Sequence, residues 1–145
     1  MELCDFANFQ IPGENWWDGY ELVRIDVSQN KVEEIPEEVY QQATVQNFSL
    51  MGNLIKSVPD ALFKMESLKI LDISNNKIAS LSEALGTATL LTELKANGNQ
   101  IPEMPQSIGQ LQGLELLDFS SNKLTSLPDG IGKLTKLMKL NLDGN

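Results

Sequence analysis

Sliding the chain against itself by 23 residues superimposes its asparagines: Asn30, Asn53, Asn76, Asn99, Asn122 and Asn145 differ by 23 at every step. The clearest copy is LELLDFSSNKLTSLPDGIGKLTKL, running from Leu114 to Leu137. Counting Leu114 as the first place, apolar residues stand at the fourth and sixth (Leu117, Phe119) and asparagine at the ninth (Asn122). Leu124, Leu127-Pro128, Ile131 and Leu134 follow. A fixed period of this length leaves one kind of architecture, a solenoid in which each repeat buries its apolar side against the next.

Repeats begin at Leu22, Val45, Leu68, Leu91 and Leu114, and the start of a sixth at Leu137 reaches its asparagine at Asn145. Residues 1–21 do not follow the period and are expected to cap the open apolar side of the first repeat. Trp16 and Trp17 suit that task, with large apolar area and an indole N–H able to reach the surface. Residues 22–145 are then one repeat domain of five repeats and the start of a sixth. Leu140 and Leu142 would leave an apolar edge there, which reads as a C-terminal truncation, with the full-length protein a monomer.

Places three to five of each repeat are expected to form a short strand. Alternation sends the fourth and sixth side chains inward and the third, fifth and seventh outward. The ninth-place asparagines form a ladder whose amides satisfy buried backbone groups of neighbouring turns. The Leu/Ile-Pro pair at places fourteen and fifteen starts a return in 3₁₀ or short helical form. The expected fold is therefore α/β: a right-handed horseshoe arc with a parallel sheet inside and short helical turns on its convex side.

The formal charge of −9, from 20 acidic and 11 basic residues, argues against nucleic acid or an anionic membrane as partner. Glu33, Glu34, Glu37 and Glu38 crowd the back of the first repeat and read as a solvated face. Cys4 is the single cysteine. With no basic or apolar leader at the N-terminus, it points to a reducing compartment, cytoplasmic or also nuclear.

Chemistry is hard to place. The sequence contains no histidine, the commonest general base and neutral metal ligand. Gly130-Ile131-Gly132-Lys133 resembles the end of a phosphate loop, but Leu127 replaces its first glycine and Leu134 its Ser/Thr. Asn47-Phe48-Ser49 is a glycosylation sequon in form, but without a secretory signal it is not expected to meet the transferase, and Phe48 is simply a core position. No catalytic, cofactor or metal site is expected.

What remains is the outward surface of the sheet. Its candidate protein-binding residues are Arg24, Asp26, Met51, Ile70, Asp72, Glu93, Lys95, Asn97, Leu116 and Asp118. Ile70, Leu116 and Met51 are apolar side chains placed outside the core among polar ones, as at the centre of an interface. Lys95 lies between Asp72 and Asp118, positioned to bridge either.

SNKLTSLPDGIGKLTKL resembles the intracellular, Ras-group leucine-rich repeats, L-x-x-L-x-L-x-x-N-x-L-x-x-L-P-x-x-I-x-x-L. GENWWDGYELVRIDVSQNKVEEIP is similar to the Trp-Trp entry into the repeats of the leucine-rich repeat-containing protein 40 family and its plant relatives. Ser82 for proline, Ala96 for a large core residue and Ala88 for leucine depart from the pattern and are expected to weaken packing in repeats three and four. The resemblance implies a non-enzymatic scaffold or adaptor that holds a protein partner on its concave face in intracellular signalling. The alternative is a regulatory or sensory segment of a larger kinase, GTPase or ubiquitin ligase.

Overall fold

The structure is a computed structural model that describes residues 21–145. The expected cap, with Trp16 and Trp17, lies outside the described residues. Six three-residue strands form one parallel sheet in chain order. They are β1 (Arg24–Asp26), β2 (Asn47–Ser49), β3 (Ile70–Asp72), β4 (Glu93–Lys95), β5 (Leu116–Asp118) and β6 (Lys139–Asn141). Each is the third-to-fifth-place triplet of its repeat. The register is unbroken, so equivalent places sit side by side, as in Ile25↔Phe48, Leu71↔Leu94 and Leu117↔Leu140.

Fourth- and sixth-place side chains form the inner layer: Phe48, Leu71, Ile73, Leu94, Ala96, Leu117 and Phe119 are all buried. Leu62, Leu85 and Ile108 close the core from the return side. Apart from Ala96, each such side chain contributes about 1.5–3 kcal/mol by leaving water. At the sixth strand Leu140 is 44% exposed, because among the described residues no further strand packs over it.

The returns run as 3₁₀ turns over Glu37–Gln41, Glu83–Thr87, Gln106–Gln110 and Asp129–Lys133, and as one α-turn over Asp60–Phe63. Extended backbone at Pro36, Pro59, Pro105 and Pro128 introduces four of them. Ser82 keeps the same extended geometry, and its hydroxyl donates to the Asp60 carboxylate at 2.5 Å. The serine thus replaces proline's fixed φ with a bond to the preceding repeat.

The asparagine ladder has one repeating geometry. Asn76 Oδ1 accepts the Ile55 amide at 3.1 Å, and its Nδ2 donates to Leu50 O at 2.9 Å, both in the preceding repeat. Asn53, Asn99 and Asn122 repeat this toward Val32 and Val27, Ile78 and Ile73, and Ile101 and Ala96. Asn145, although exposed, does the same toward Leu124 and Phe119. Asn30 turns to carbonyls of its own repeat, Val27 and Ser28. A side chain that accepts one buried amide and donates to buried carbonyls leaves few polar groups orphaned between turns.

Candidate functional site: the concave sheet

The sheet register places the candidate residues in columns about 4.8 Å apart. The third-place column runs Arg24, Asn47, Ile70, Glu93, Leu116, Lys139, and the fifth runs Asp26, Ser49, Asp72, Lys95, Asp118, Asn141. Arg24 and Lys139 are exposed, and the residues between them are half-buried. Met51 and Asn97, at the seventh place, are also half-buried.

Not all the candidates come together. Glu93 stands between Ile70 and Leu116, so the apolar residues are separate islands. A shallow recess of about 230 Å³ gathers Arg24, Asn47, Ile70, Asp72, Glu93 and Lys95. Asp26, Met51, Asn97, Leu116 and Asp118 lie outside it.

Two expectations need correction. Lys95 lies beside Asp72 and Asp118 in register but pairs with neither: its Nζ is 3.5 Å from Glu93 on its own strand. Both aspartates turn toward their own chain. Asp72 Oδ1 accepts the Ser74 amide at 3.0 Å and the Ser74 hydroxyl, and Asp118 does the same with Ser120. Ser74, expected to face outward, is buried as a result.

Asp26 repeats the arrangement with Ser28 and pairs with Arg24 at 2.9 Å. Burial pushes the Asp26 carboxyl up, but the Ser28 hydroxyl, Arg24 and the Ser28 amide together hold it below its ordinary value. These aspartates therefore anchor the turn out of the strand as well as lining the face.

This turn carries a pattern that the 23-residue period hides. Every eighth-place residue has positive φ: Gln29, Asn75 and Ser121 in odd repeats, Gly52, Gly98 and Gly144 in even ones. Asp-x-Ser precedes the odd members and is absent from the even ones. A β-carbon on Gly52 would meet the Gln29 side chain at 2.9 Å, and one on Gly98 would meet Asn75. Each even repeat thus supplies the space that the preceding odd repeat fills. Comparing the sequence at a spacing of two repeats reveals this, since Asp26, Asp72 and Asp118 fall in line.

Among the described residues, no group of three or more Cys, Asp or Glu side chains is placed to hold a metal ion. No helix among them is long and apolar enough to cross a membrane.

The sequence model of the family described as "Leucine rich repeat" matches residues 43–101 and 104–145. The chain belongs to the leucine-rich repeat family. No curated protein matches it. Among solved structures it is similar to a leucine-rich repeat protein of Leptospira interrogans, with 31% identity and a TM-score of 0.82 over 86% of this chain. An internalin (inlF) of Listeria monocytogenes has the same fold, with 23% identity and a TM-score of 0.73 over 81% of this chain. The chain spans only 32% and 34% of the lengths of those two proteins. Leucine-rich repeat domains generally mediate protein–protein interaction, and this domain has the rigid open sheet such binding uses.

Proposed function

We propose that this domain is a non-enzymatic protein-interaction module that holds a partner on its concave face, acting as a scaffold or adaptor in cytosolic signalling. The observation that carries the reading is the third-place column, where half-buried Ile70 and Leu116 lie on the sheet among Asn47, Glu93 and Lys139. An apolar side chain held among polar neighbours gives a partner something to desolvate and something to align against. The cytosolic setting rests on the single cysteine. The reading applies equally to a protein built of repeats and to a binding segment of a longer one.

The test is capture from cytosol by the wild-type chain and by Ile70→Glu/Leu116→Glu. Both positions are at the surface, so the variant should keep its thermal midpoint within about 3 °C. A protein held by the wild type and lost from the folded variant supports the reading. Identical capture by the two removes it.

A further inference from the structure

On the convex side the nineteenth place of each repeat sets how closely neighbouring returns approach. In repeats three, four and five this place is Gly86, Gly109 and Gly132. The absence of a side chain lets neighbouring returns close up: a β-carbon on Gly109 would lie 2.7 Å from Gly130 O, and one on Gly86 2.7 Å from Ser107 Cβ. Repeats one and two carry Tyr40 and Phe63 at that place, both buried. Their returns touch less than those of the later repeats.

A recess of about 210 Å³ lies between these two returns. Buried Leu50, Tyr40 and Val58 and half-buried Ile35 line it, together with exposed Glu34 and Ser57. Tyr40 is only 8% exposed, and its hydroxyl has no hydrogen-bond partner among the described residues. Its ring leans on Phe48, with centroids 6.4 Å apart. Burial pushes the phenol well above its ordinary pKa, keeping it a neutral donor. Its oxygen still reaches solvent, so the hydroxyl can donate to a group brought to the recess.

Acidic side chains outnumber basic ones on and beside these two returns, Glu33, Glu34, Glu37, Glu38 and Asp60 against Lys56 and Lys64. Glu34, Glu37 and Glu38 are exposed and have no ion pair among the described residues. Glu33 is answered by Lys56 at 3.2 Å. Asp60, the counterpart of Glu37 in repeat two, is exposed as well.

We propose that the recess between the returns of repeats one and two is a second docking site, one that takes an apolar side chain from a basic segment of a protein partner. The anchor fills the space above Leu50, a backbone carbonyl of the partner accepts the Tyr40 hydroxyl, and flanking lysines or arginines face Glu34, Glu37 and Glu38. The glutamates that the sequence alone presents as a solvated face become the rim of this site. The site is separate from the concave face, so either can fail without the other.

The probes are fluorescein-labelled short peptides in which lysines flank a central leucine, titrated into the full chain and followed by anisotropy. Controls replace the leucine with alanine or the lysines with glutamates, and N-acetyl-leucinamide serves as an uncharged competitor. The leucine peptide should bind saturably and weaken as salt rises toward about 150 mM. Ser57→Trp, which fills the recess from its exposed rim, and Glu34→Lys/Glu37→Lys should each weaken it about tenfold, equivalent to about 1.4 kcal/mol. Tyr40→Phe should weaken it about fivefold, the value of one hydrogen bond. Ile70→Glu/Leu116→Glu should leave it unchanged.

Absence of binding overturns the proposal, as does equal binding of the alanine peptide, which would mean charge attraction alone. So does full affinity in folded Ser57→Trp. Equal affinity for N-acetyl-leucinamide would make the recess a small-molecule site, and loss of binding only in the concave variant would place the peptide on the other face.

Discussion

The side chain of Asn75 occupies the space that a β-carbon on Gly98 would need. Asn75 itself sits at φ 53° and Gly98 at φ 68°, both in the left-handed region. Gly98→Ala should therefore cost about 1–2 kcal/mol for the backbone, with the contact against Asn75 adding to it. Gly98→Ala/Asn75→Gly should recover the contact part together with the strain of the left-handed Asn75 backbone. Equilibrium denaturation of the two variants and wild type measures the difference.

A second glycine pair isolates packing from backbone strain. Neither Gly109 nor Gly132 has positive φ. A β-carbon on Gly109 would strike Gly130, whereas nothing lies within 4 Å of one on Gly132. Gly109→Ala should destabilise by about 1–3 kcal/mol, and Gly132→Ala should stay within about 0.5 kcal/mol of wild type. Thermal midpoints of both variants check this.

Asn76→Ala removes one acceptor for Ile55 and donors to Leu50, Ile73 and Ser74. The orphaned groups are buried, so the loss should be roughly 1–3 kcal/mol or more. The same substitution at exposed Asn145 should cost less, because water replaces the lost partners. Urea denaturation of the two variants, compared at equal m-value, gives the ordering.

Glu83 predicts a pH dependence. Its carboxylate accepts the Ser107 amide at 2.8 Å and the Gln106 amide at 3.0 Å, tying one return to the next. The Ser107 amide first, and with it the Gln106 amide, hold the carboxyl below its ordinary value of 4.5. Since the folded-state value is depressed, the unfolded chain takes up protons first as pH falls. The contribution is present above pH 4.5 and is lost as pH drops through the lower folded value. Asp26 adds a term of the same sign. Denaturation midpoints between neutral pH and pH ~3 should fall less steeply in Glu83→Gln than in wild type.

The places that were legible in advance are those where one residue type does one job in every repeat. The triplet Leu116–Asp118 is a strand because alternation demands it, and Asn122 lies inside because its amide alone satisfies both sides of the turn. Pairwise choices between repeats were not legible. Lys95 reaches Glu93 on its own strand because Asp72 and Asp118 are already turned to Ser74 and Ser120. The two-repeat alternation of Asn75 and Gly98 was hidden by a shorter period that fits the apolar residues equally well. The gap behind Tyr40 depends on what Gly86 and Gly109 do elsewhere, a contrast that no single repeat displays.

The concave-face account is tested most directly by photo-crosslinking. Benzoyl-phenylalanine placed at Asn47 or Leu116 on the sheet, and at Ser126 or Lys133 on the return side, would report which surface a captured partner touches. The account predicts crosslinks to one partner from Asn47 and Leu116 and none from Ser126 or Lys133. Crosslinks from the return positions alone would contradict it.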